Sequence, residues 1–234
     1  RAAERERAPL IVQVYERLFG DERAGLIAAM TRRLAERARV PIVLHLDHGV
    51  SLEQVEQALE LGYTSVMIDG SRLPFAENVE LTARAAALAR RAGASLEAEI
   101  GHVPFGGGPP ALSTADEAAA FAQASGVDAL AVSIGSAHGF YKKEPVLDIA
   151  RCREIGRRVA VPLVLHGGTG IPEDQVRQAI ACGVAKINIA TEYQDLFAKS
   201  VADVLREAGG KFLPVDKLFK PVEARLEAFA RGKI

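Results

Sequence analysis

The feature that most constrains the fold is a repeating pattern of short apolar segments separated by longer helical stretches. Segments with strand character lie at 9–14, 41–46, 65–68, 95–100, 129–134, 162–165 and 186–190. Each gap is long enough for a right-handed crossover helix, so the pattern predicts repeated β/α units and a parallel sheet. The GxGxxG turn of dinucleotide-binding sheets is absent after the first segment. Its absence favours a (β/α)8 TIM barrel over an open doubly wound sheet.

The number of strand-like segments is one short of a closed barrel. Seven segments are present, whereas a TIM barrel has eight strands. The stretch 1–7 already has a helical pattern, with no strand before it. We therefore expect a (β/α)8 barrel whose first β/α unit is largely absent from this sequence, with residues 1–234 forming a single TIM-barrel catalytic domain.

Charge and composition exclude several classes of partner. The 234 residues carry a net charge of −1, so no basic surface for nucleic acid is expected. No apolar run approaches the roughly 18 residues that span a bilayer, and no signal peptide is visible, so no membrane partner is expected. Cys152 and Cys182 lack the CxxC spacing of metal or redox pairs, which predicts reduced thiols in a cytoplasmic protein.

Three of the five histidines follow apolar strand segments directly. They are His48, His138 and His166. The carboxyl ends of parallel strands meet at one face of a barrel, so these side chains are expected to lie close together. Three imidazoles with an open fourth position are typical of a catalytic zinc site. The sequence therefore predicts that these three residues bind Zn²⁺.

Acidic side chains also follow strand-like segments. Asp47 immediately precedes His48, whereas Asp69 and Glu99 lie at the ends of the third and fourth segments. A carboxylate in a buried strand is costly unless it is paired or metal-bound. Asp69 and Glu99 are therefore predicted either to orient a ligating histidine or to bind a metal at a second position. Asp47, next to a predicted ligand, is the best candidate for acid–base catalysis.

Three further polar residues near these motifs receive structural interpretations. Glu97 is two residues before Glu99 on the same strand face, which predicts a salt bridge inside the barrel. His45 lies two residues before Asp47, and we expect it to pack in the barrel interior. Lys186 is predicted to open its strand and so to lie near the opposite end of the barrel, which argues against Schiff-base chemistry.

Two stretches at the last two strands predict a phosphate site. Gly167-Gly168-Thr169-Gly170 follows the sixth segment, Asn188-Ile189-Ala190-Thr191 ends the seventh, and both lead into helices. The corresponding loops of TIM barrels commonly bind phosphate through backbone N–H groups and a helix N-terminus. A metal beside a bound phosphate favours chemistry in which the metal polarises a carbonyl oxygen while an acid moves a proton.

Taken together, the motifs resemble those of the class II, zinc-dependent ketose-bisphosphate aldolases of the tagatose- and fructose-bisphosphate type. They occur in family order over nearly the whole chain. The motifs are His45-Leu-Asp-His-Gly49, Met67-Ile-Asp-Gly-Ser71, Glu97-Ala-Glu-Ile-Gly101, Gly135-Ser-Ala-His-Gly139, Leu165-His-Gly-Gly-Thr-Gly170 and Lys186-Ile-Asn-Ile-Ala-Thr-Glu192.

The resemblance implies a role for each matched residue. Asp47 would be the proton donor and acceptor at the aldehyde-derived hydroxyl. The implied ligands of the catalytic zinc are His48, His138 and His166, and those of a second metal position are Asp69 and Glu99. The residues implied to hold dihydroxyacetone phosphate are Gly139, Gly167, Gly168, Thr169, Asn188, Ile189, Ala190 and Thr191.

The resemblance also implies a reaction and partners. Such enzymes reversibly cleave a ketose 1,6-bisphosphate into dihydroxyacetone phosphate and glyceraldehyde 3-phosphate through a zinc-bound enediolate. A monovalent cation is an additional cofactor to consider. The expected assembly is a homodimer or homotetramer, in which the apolar tail 212–234 would pack against a sister subunit or, alternatively, cap the bottom of the barrel.

One departure from the family pattern leaves alternatives open. The family's mobile loop after the fourth segment usually supplies a proton-shuttling glutamate, but the stretch 100–115 contains no Asp or Glu. We interpret this as an omission of loop residues near Gly108-Pro109; the alternative is that the proton is handled differently. Other phosphorylated substrates, such as a phosphorylated keto sugar acid, remain open. So do a non-catalytic barrel that binds zinc and sugar phosphate, and a metal-dependent phosphosugar isomerase.

Overall fold

A computed structural model describes residues 1–104 and 111–234, in which strands and helices alternate along the chain. The strands are β1 (Leu10–Tyr15), β2 (Ile42–Gly49), β3 (Ser65–Ile68), β4 (Ser95–Ile100), β5 (Ala129–Val132), β6 (Leu163–Leu165) and β7 (Val184–Ile187). The α-helices are α1 (Ala2–Glu6), α2 (Arg23–Ala35), α3 (Leu52–Glu60), α4 (Phe75–Ala92), α5 (Ala115–Ser125), α6 (Ile149–Arg158), α7 (Glu173–Ile180), α8 (Thr191–Glu207) and α9 (Val215–Lys233). A short 3-10 helix, Glu16–Gly20, follows β1.

The seven strands form one parallel sheet in chain order, as the sequence pattern predicts. The largest differences from the predicted strand boundaries are in β2 and β7. β2 continues through Gly49, because the backbone pairs with β3 beyond the apolar run. β7 spans Val184–Ile187 rather than 186–190, so Lys186 lies inside the strand and not at its start. The predicted position of Lys186 near the far end of the sheet is therefore wrong.

The sheet curls, so that strands distant in its order face each other across the concave side. Just after β7, the Asn188 side-chain amide donates to the Asp47 carboxylate of β2, with Nδ2 and Oδ1 3.1 Å apart. One layer deeper, Lys186 Nζ lies 3.4 Å from Nε2 of His45, also on β2. Since four strands lie between β2 and β7 in the order, only a curled sheet brings these side chains together. The carboxyl ends of the strands therefore surround one region.

Helices flank the strands and bury small side chains against them. Ala85 and Ala89 of α4 and Phe121 of α5 are fully buried in the hydrophobic core. Side-chain caps mark the starts of α3, α5 and α6. At α3, for example, Ser51 Oγ accepts from the Gln54 backbone N–H at 3.3 Å.

The C-terminal helix α9 packs against α1 and α8. Arg5 of α1 pairs with Glu227 of α9 at 2.8 Å, and the rings of Phe197 and Phe219 stack with centroids 6.3 Å apart. Phe212, before α9, is 91% exposed. The homo-oligomer stays a prediction. Among the described helices, none combines the length and apolar character needed to cross a membrane.

A buried hydroxyl ties the ends of β4 and β5 together, and its removal tests this connection. Ser113 Oγ donates to the Ile100 carbonyl at 2.6 Å and accepts from the Ser133 N–H at 2.9 Å. We expect Ser113→Ala to lower the free energy of unfolding by about 1–3 kcal/mol, because two buried backbone groups lose their partner. Urea denaturation measures this loss.

The matched control for this prediction is Ser200→Ala in α8. The Ser200 hydroxyl is equally buried, but it has no hydrogen-bond partner among the described residues. The change should therefore alter stability by less than about 0.5 kcal/mol. Equal losses for both variants would contradict the role assigned to Ser113.

Candidate active site

A bulge in β2 presents two consecutive side chains to the same side of the sheet. The pairing of β2 with β3 shifts between Leu46 and Gly49, and His48 adopts a positive φ of 52°. Neighbouring residues of a regular strand point to opposite faces, so Asp47 and His48 could not otherwise share a site. Positive φ is uncommon outside glycine and is typical of functional positions. The bulge thus supplies an acid and an imidazole from adjacent residues.

The structure brings together the three histidines predicted from the strand ends. The ring centroid of His48 lies 4.7 Å from that of His166 and 5.1 Å from that of His138. One ring nitrogen from each residue fits a group whose atoms all lie within 4.8 Å of one another. This spacing matches a site in which one ion contacts three imidazoles.

Hydrogen bonds fix which nitrogen of each ring faces the centre of this group. The Asp69 carboxylate accepts from His48 Nδ1 at 2.8 Å, and the Val103 carbonyl faces His138 Nδ1 at 3.3 Å. Glu97 Oε1 lies 2.8 Å from His166 Nε2. Carboxylates and carbonyls only accept, so each partner places the hydrogen on the nitrogen next to it. The inward nitrogens are therefore Nε2 of His48 and His138 and Nδ1 of His166.

These inward nitrogens form a donor set that calls for a cation. His166 Nδ1 and His48 Nε2 lie 3.0 Å apart, and when both rings are neutral with the hydrogens placed as above, both atoms carry lone pairs, so a proton or a metal ion is required between them. Nearby, two buried acceptors, Glu99 Oε2 and Asn188 Oδ1, have no hydrogen-bond partner among the described residues. Facing lone pairs and unpartnered acceptors are stabilised by a positive charge placed between them. The residues present fit a bound metal ion.

The pKa shifts of His48 and His138 have opposite directions. Burial lowers the pKa of His48, but the hydrogen bond to Asp69 and the nearby carboxylates outweigh it and raise the pKa to about 9. Burial, together with the neighbouring His48 and His166, lowers the pKa of His138 to about 3. His138 is therefore a neutral imidazole, the form that binds metals.

Two carboxylates complete a second potential metal group with His48. Ligand atoms of His48, Asp69 and Glu99 lie within 4.8 Å of one another. Burial opposes the ionisation of Asp69, but hydrogen bonds from His48 and Ser71 outweigh it and hold the pKa below its usual range. Burial raises the pKa of Glu99 to about 7, and the nearby Asp69 adds to this effect. A second group of candidate ligands thus lies beside the three-histidine group and shares His48 with it.

Asp47 lies between the histidine cluster and the neighbouring pocket. Its two carboxylate oxygens accept from Gln13 Nε2 at 3.3 Å and from Asn188 Nδ2 at 3.1 Å. The Asp47 side chain is 7% exposed and forms part of the pocket wall. Two amide donors hold the carboxylate in a fixed orientation while leaving it in contact with the pocket. Such an arrangement suits a group that exchanges a proton with a bound molecule.

The pocket contains most of the residues predicted to hold substrate. Its lining residues are Gln13, Asp47, His138, Gly139, Gly167, Thr169, Asn188, Ala190 and Thr191. Gly168 and Ile189 lie behind this surface: the Gly168 N–H donates to the Asn188 carbonyl, and a Cβ at Gly168 would lie 3.2 Å from the Ile189 side chain. Thr191 is the first residue of α8, so a helix N-terminus forms part of the wall.

The Gly167 backbone explains why a glycine follows His166 in the loop after β6. This residue has a φ of +67°, and a Cβ would lie 2.3 Å from the Ala137 carbonyl. Only glycine therefore permits the loop after β6 to approach the loop that carries His138. The close approach places the glycine-rich loop beside the histidine group.

Sequence reasoning missed two residues that organise the site. Gln13, in the middle of β1, contacts Asp47, but nothing in an apolar strand distinguishes it from a solvent-facing amide. The Tyr141 hydroxyl accepts from the Ala137 N–H at 2.7 Å and donates to the Gly167 carbonyl at 2.9 Å. It thereby links the two loops. The only sequence feature that could have indicated Tyr141 is its position two residues after Gly139, a predicted substrate-binding residue.

Two of the remaining expectations from the sequence are confirmed, and a third is not tested. His45 is fully buried and contacts Ser65 Oγ through Nδ1 at 2.8 Å, as expected for an interior histidine. Glu97 forms the expected internal salt bridge, and its partner is Lys186, with Nζ and Oε2 2.7 Å apart. The predicted gap near Gly108-Pro109 lies outside the described residues.

Comparisons with known proteins identify the family to which this chain belongs. The family model "Fructose-bisphosphate aldolase class-II" matches residues 1–234. The chain is 39% identical over 246 residues to a probable fructose-bisphosphate aldolase of Bacillus subtilis, covering 100% of this chain and 84% of that protein. It is 42% identical over 214 residues to a 6-phospho-5-dehydro-2-deoxy-D-gluconate aldolase of Halalkalibacterium halodurans, covering 87% of this chain and 73% of that protein.

A solved structure shows the same arrangement of elements. The crystal structure of the YdjI aldolase from Escherichia coli K12 superposes with a TM-score of 0.86 at 33% identity. The match covers 100% of this chain and 83% of that one. The similarity therefore includes the sheet, its flanking helices and the strand ends that carry the site.

Replacing one of the three histidines tests the metal group. We expect His138→Ala to weaken zinc binding by more than the about 10–100-fold that removal of an outer partner typically costs. Competition against a chromophoric zinc chelator gives the affinity. His102→Ala is the control, because His102 contacts Ser71 at 3.2 Å and lies outside the three-histidine group. Unchanged affinity in H138A would rule out this residue as a ligand.

Removing the hydroxyl that joins the two loops tests its effect on the site. Tyr141→Phe leaves the Ala137 N–H and Gly167 carbonyl without this partner, so we expect a stability loss of about 1–3 kcal/mol. Zinc affinity should fall as well, because His138 follows Ala137 directly. Denaturation of the metal-free protein and chelator competition measure the two effects.

A second tyrosine provides the matched control for this change. The Tyr63 hydroxyl donates to the Ala24 carbonyl at 3.2 Å, away from the site. Tyr63→Phe should therefore cost stability without changing zinc affinity. If the two variants bind zinc equally well, the hydroxyl of Tyr141 has no role in positioning His138.

Proposed function

Because the chain belongs to the class-II fructose-bisphosphate aldolase family, we propose that it is a metal-dependent aldolase acting on a ketose 1,6-bisphosphate, fructose or tagatose. The products are dihydroxyacetone phosphate and glyceraldehyde 3-phosphate. The observation that carries the proposal is the convergence of three imidazoles beside a pocket that contains a carboxylate and a helix N-terminus. The curled sheet and its consecutive strand order support a (β/α)8 barrel, with residues 1–234 in one catalytic domain.

We propose that the metal is zinc. His48, His138 and His166 would hold it, and Asp69 and Glu99 would offer a second position. When bound, zinc supplies Lewis-acid polarisation of a substrate carbonyl. Neutral nitrogen ligands with an open position are typical of catalytic zinc sites. Glu99 is buried, and one of its oxygens has no hydrogen-bond partner among the described residues. A nearby divalent cation would therefore stabilise the charged form of this carboxylate.

Asp47 moves the proton in the proposed reaction. Cleavage of the carbon–carbon bond requires a base to remove the proton from the hydroxyl that becomes the aldehyde. In the reverse direction the same group returns the proton to the new hydroxyl oxygen. Gln13 and Asn188 orient the carboxylate toward the pocket, which supports this assignment.

The glycine-rich loop and the start of α8 hold the phosphate of the three-carbon unit. Gly139, Gly167 and Thr169 contribute to the pocket from two loops, and Ala190 and Thr191 contribute the helix N-terminus. Backbone N–H groups and the helix dipole favour an anion there. The metal group lies next to this pocket, since His138 belongs to both. The carbonyl of a phosphate-anchored triose would therefore lie near the metal.

A phosphorylated keto sugar acid is the second candidate substrate. The 42% identity to a 6-phospho-5-dehydro-2-deoxy-D-gluconate aldolase favours it. Both substrate classes share a phosphorylated ketose end, so the site described above accommodates either. The cytoplasmic location, the homo-oligomer and a monovalent cation stay predictions.

The test of this function is chelator-sensitive release of triose phosphate from purified protein. Fructose 1,6-bisphosphate, tagatose 1,6-bisphosphate and 6-phospho-5-dehydro-2-deoxy-D-gluconate are compared by kcat/KM, with product analysis to detect an isomerised sugar. We expect cleavage of a ketose bisphosphate that stops with chelator and resumes with zinc. Cleavage of none of the three would contradict an aldolase and favour a non-catalytic binding role. An isomerised sugar would point to an isomerase.

A substitution at Asp47 separates proton transfer from metal binding. Asp47→Asn keeps the size of the side chain but removes its basicity, so we expect kcat to fall by about 10²–10⁴-fold while zinc content stays at the parent level. The exposed Asp174 of α7 provides the control substitution Asp174→Asn. A turnover within threefold of the parent would remove Asp47 from the mechanism.

A further inference from the structure

A buried lysine–glutamate pair lies one layer below the metal group. Lys186 Nζ is 2.7 Å from Glu97 Oε2, and the two side chains are 11% and 3% exposed. Buried ion pairs contribute little net stability, because desolvation offsets the attraction between the charges. Stability alone therefore does not explain this buried pair, and we consider whether it positions a neighbouring side chain.

The second oxygen of the same carboxylate contacts a residue of the metal group. Glu97 Oε1 lies 2.8 Å from His166 Nε2, so Glu97 joins Lys186 to His166 through its two oxygens. The Asn188 amide nitrogen also lies 3.2 Å from His166 Nε2, but one of its two hydrogens is donated to Asp47, and the Glu97 oxygen at 2.8 Å is the closer partner. The carboxylate is thus the acceptor that places the hydrogen on Nε2 and leaves Nδ1 for the metal.

The lysine is itself held from two sides. Besides Glu97, it contacts His45 Nε2 at 3.4 Å, and His45 Nδ1 lies 2.8 Å from Ser65 Oγ. This chain of contacts runs from β3 through β2, β7 and β4 to the end of β6. It fixes the plane of the Glu97 carboxylate, because each oxygen faces a different partner.

We propose that the Lys186–Glu97 pair is a positioning device for His166, which sets its tautomer and ring orientation and thereby the affinity of the metal group. The inference rests on the proposed metal site but not on the aldolase reaction. Neither residue lines the pocket, so the proposed effect of both is through the histidine. Partners of this kind typically change metal affinity by about 10–100-fold when removed.

The experiment measures zinc affinity by chelator competition on the full chain, together with the visible absorption spectrum of the cobalt-substituted protein. Lys186→Met and Glu97→Gln should each weaken zinc binding at least about tenfold and change the intensity of the cobalt bands. In the Glu97→Gln variant the amide can turn its NH₂ group toward His166 and favour the wrong tautomer. The cobalt spectrum reports that change directly.

A surface pair of the same length provides the control. Lys199 and Asp195 lie 2.7 Å apart on α8, and Lys199 is largely exposed. Lys199→Met should leave both zinc affinity and the cobalt spectrum unchanged. Thermal unfolding of every metal-free variant shows that it is folded. If Lys186→Met fails to fold, Glu97→Gln, which preserves side-chain volume, decides the question.

The outcomes distinguish this inference from the proposed function. Variants that lose stability but bind zinc within twofold of the parent would overturn the positioning role and leave a purely structural pair. A parent protein that binds no zinc would overturn both the metal site and the inference. A parent that binds zinc tightly but cleaves no sugar phosphate would overturn only the aldolase, and the variant series would still test Lys186 and Glu97.

Discussion

Buried charge is the constraint on which the rest of this structure depends. Carboxylates lie within or directly after several strands. A buried carboxylate is tolerated only where it contacts a hydrogen-bond donor or a cation. Glu97 meets Lys186 and His166, and Asp69 meets His48. At Glu99 this compensation is incomplete, because one of its oxygens has no hydrogen-bond partner among the described residues. The incomplete compensation coincides with the three histidines, and this is why the site is suited to a divalent ion.

Much of the fold and the site is readable from the sequence, because the information is local. An apolar strand that ends abruptly in a polar residue marks the rim of a parallel sheet, and this rule found His48, His138 and His166. It failed for Lys186, because a charged residue inside a short strand looks like a boundary. It also missed Tyr141, whose role depends on two loops that meet only in the folded chain.

The substrate is harder to read than the chemistry. The proposed metal group and the proposed proton-transfer carboxylate would serve any phosphorylated aldol substrate, so relatives named for different substrates can share them. Discrimination between substrates would depend on the part of the pocket that contacts the half of the sugar not held by the glycine-rich loop. Gln13 of β1 is a pocket residue that contacts Asp47 and lies outside the glycine-rich loops. The sequence motifs therefore identify the family more firmly than they identify the sugar.

The bulge in β2 has a consequence for anyone who transfers this site to another protein. Grafting the ligands onto a regular parallel strand would turn one of the two neighbouring side chains away, because regular strands alternate their faces. The extra residue and the left-handed backbone at His48 would have to move with them, as would the space for Gly49, where a Cβ would lie 2.4 Å from the Met67 carbonyl. A transfer of the site must therefore include the bulged backbone together with its side chains.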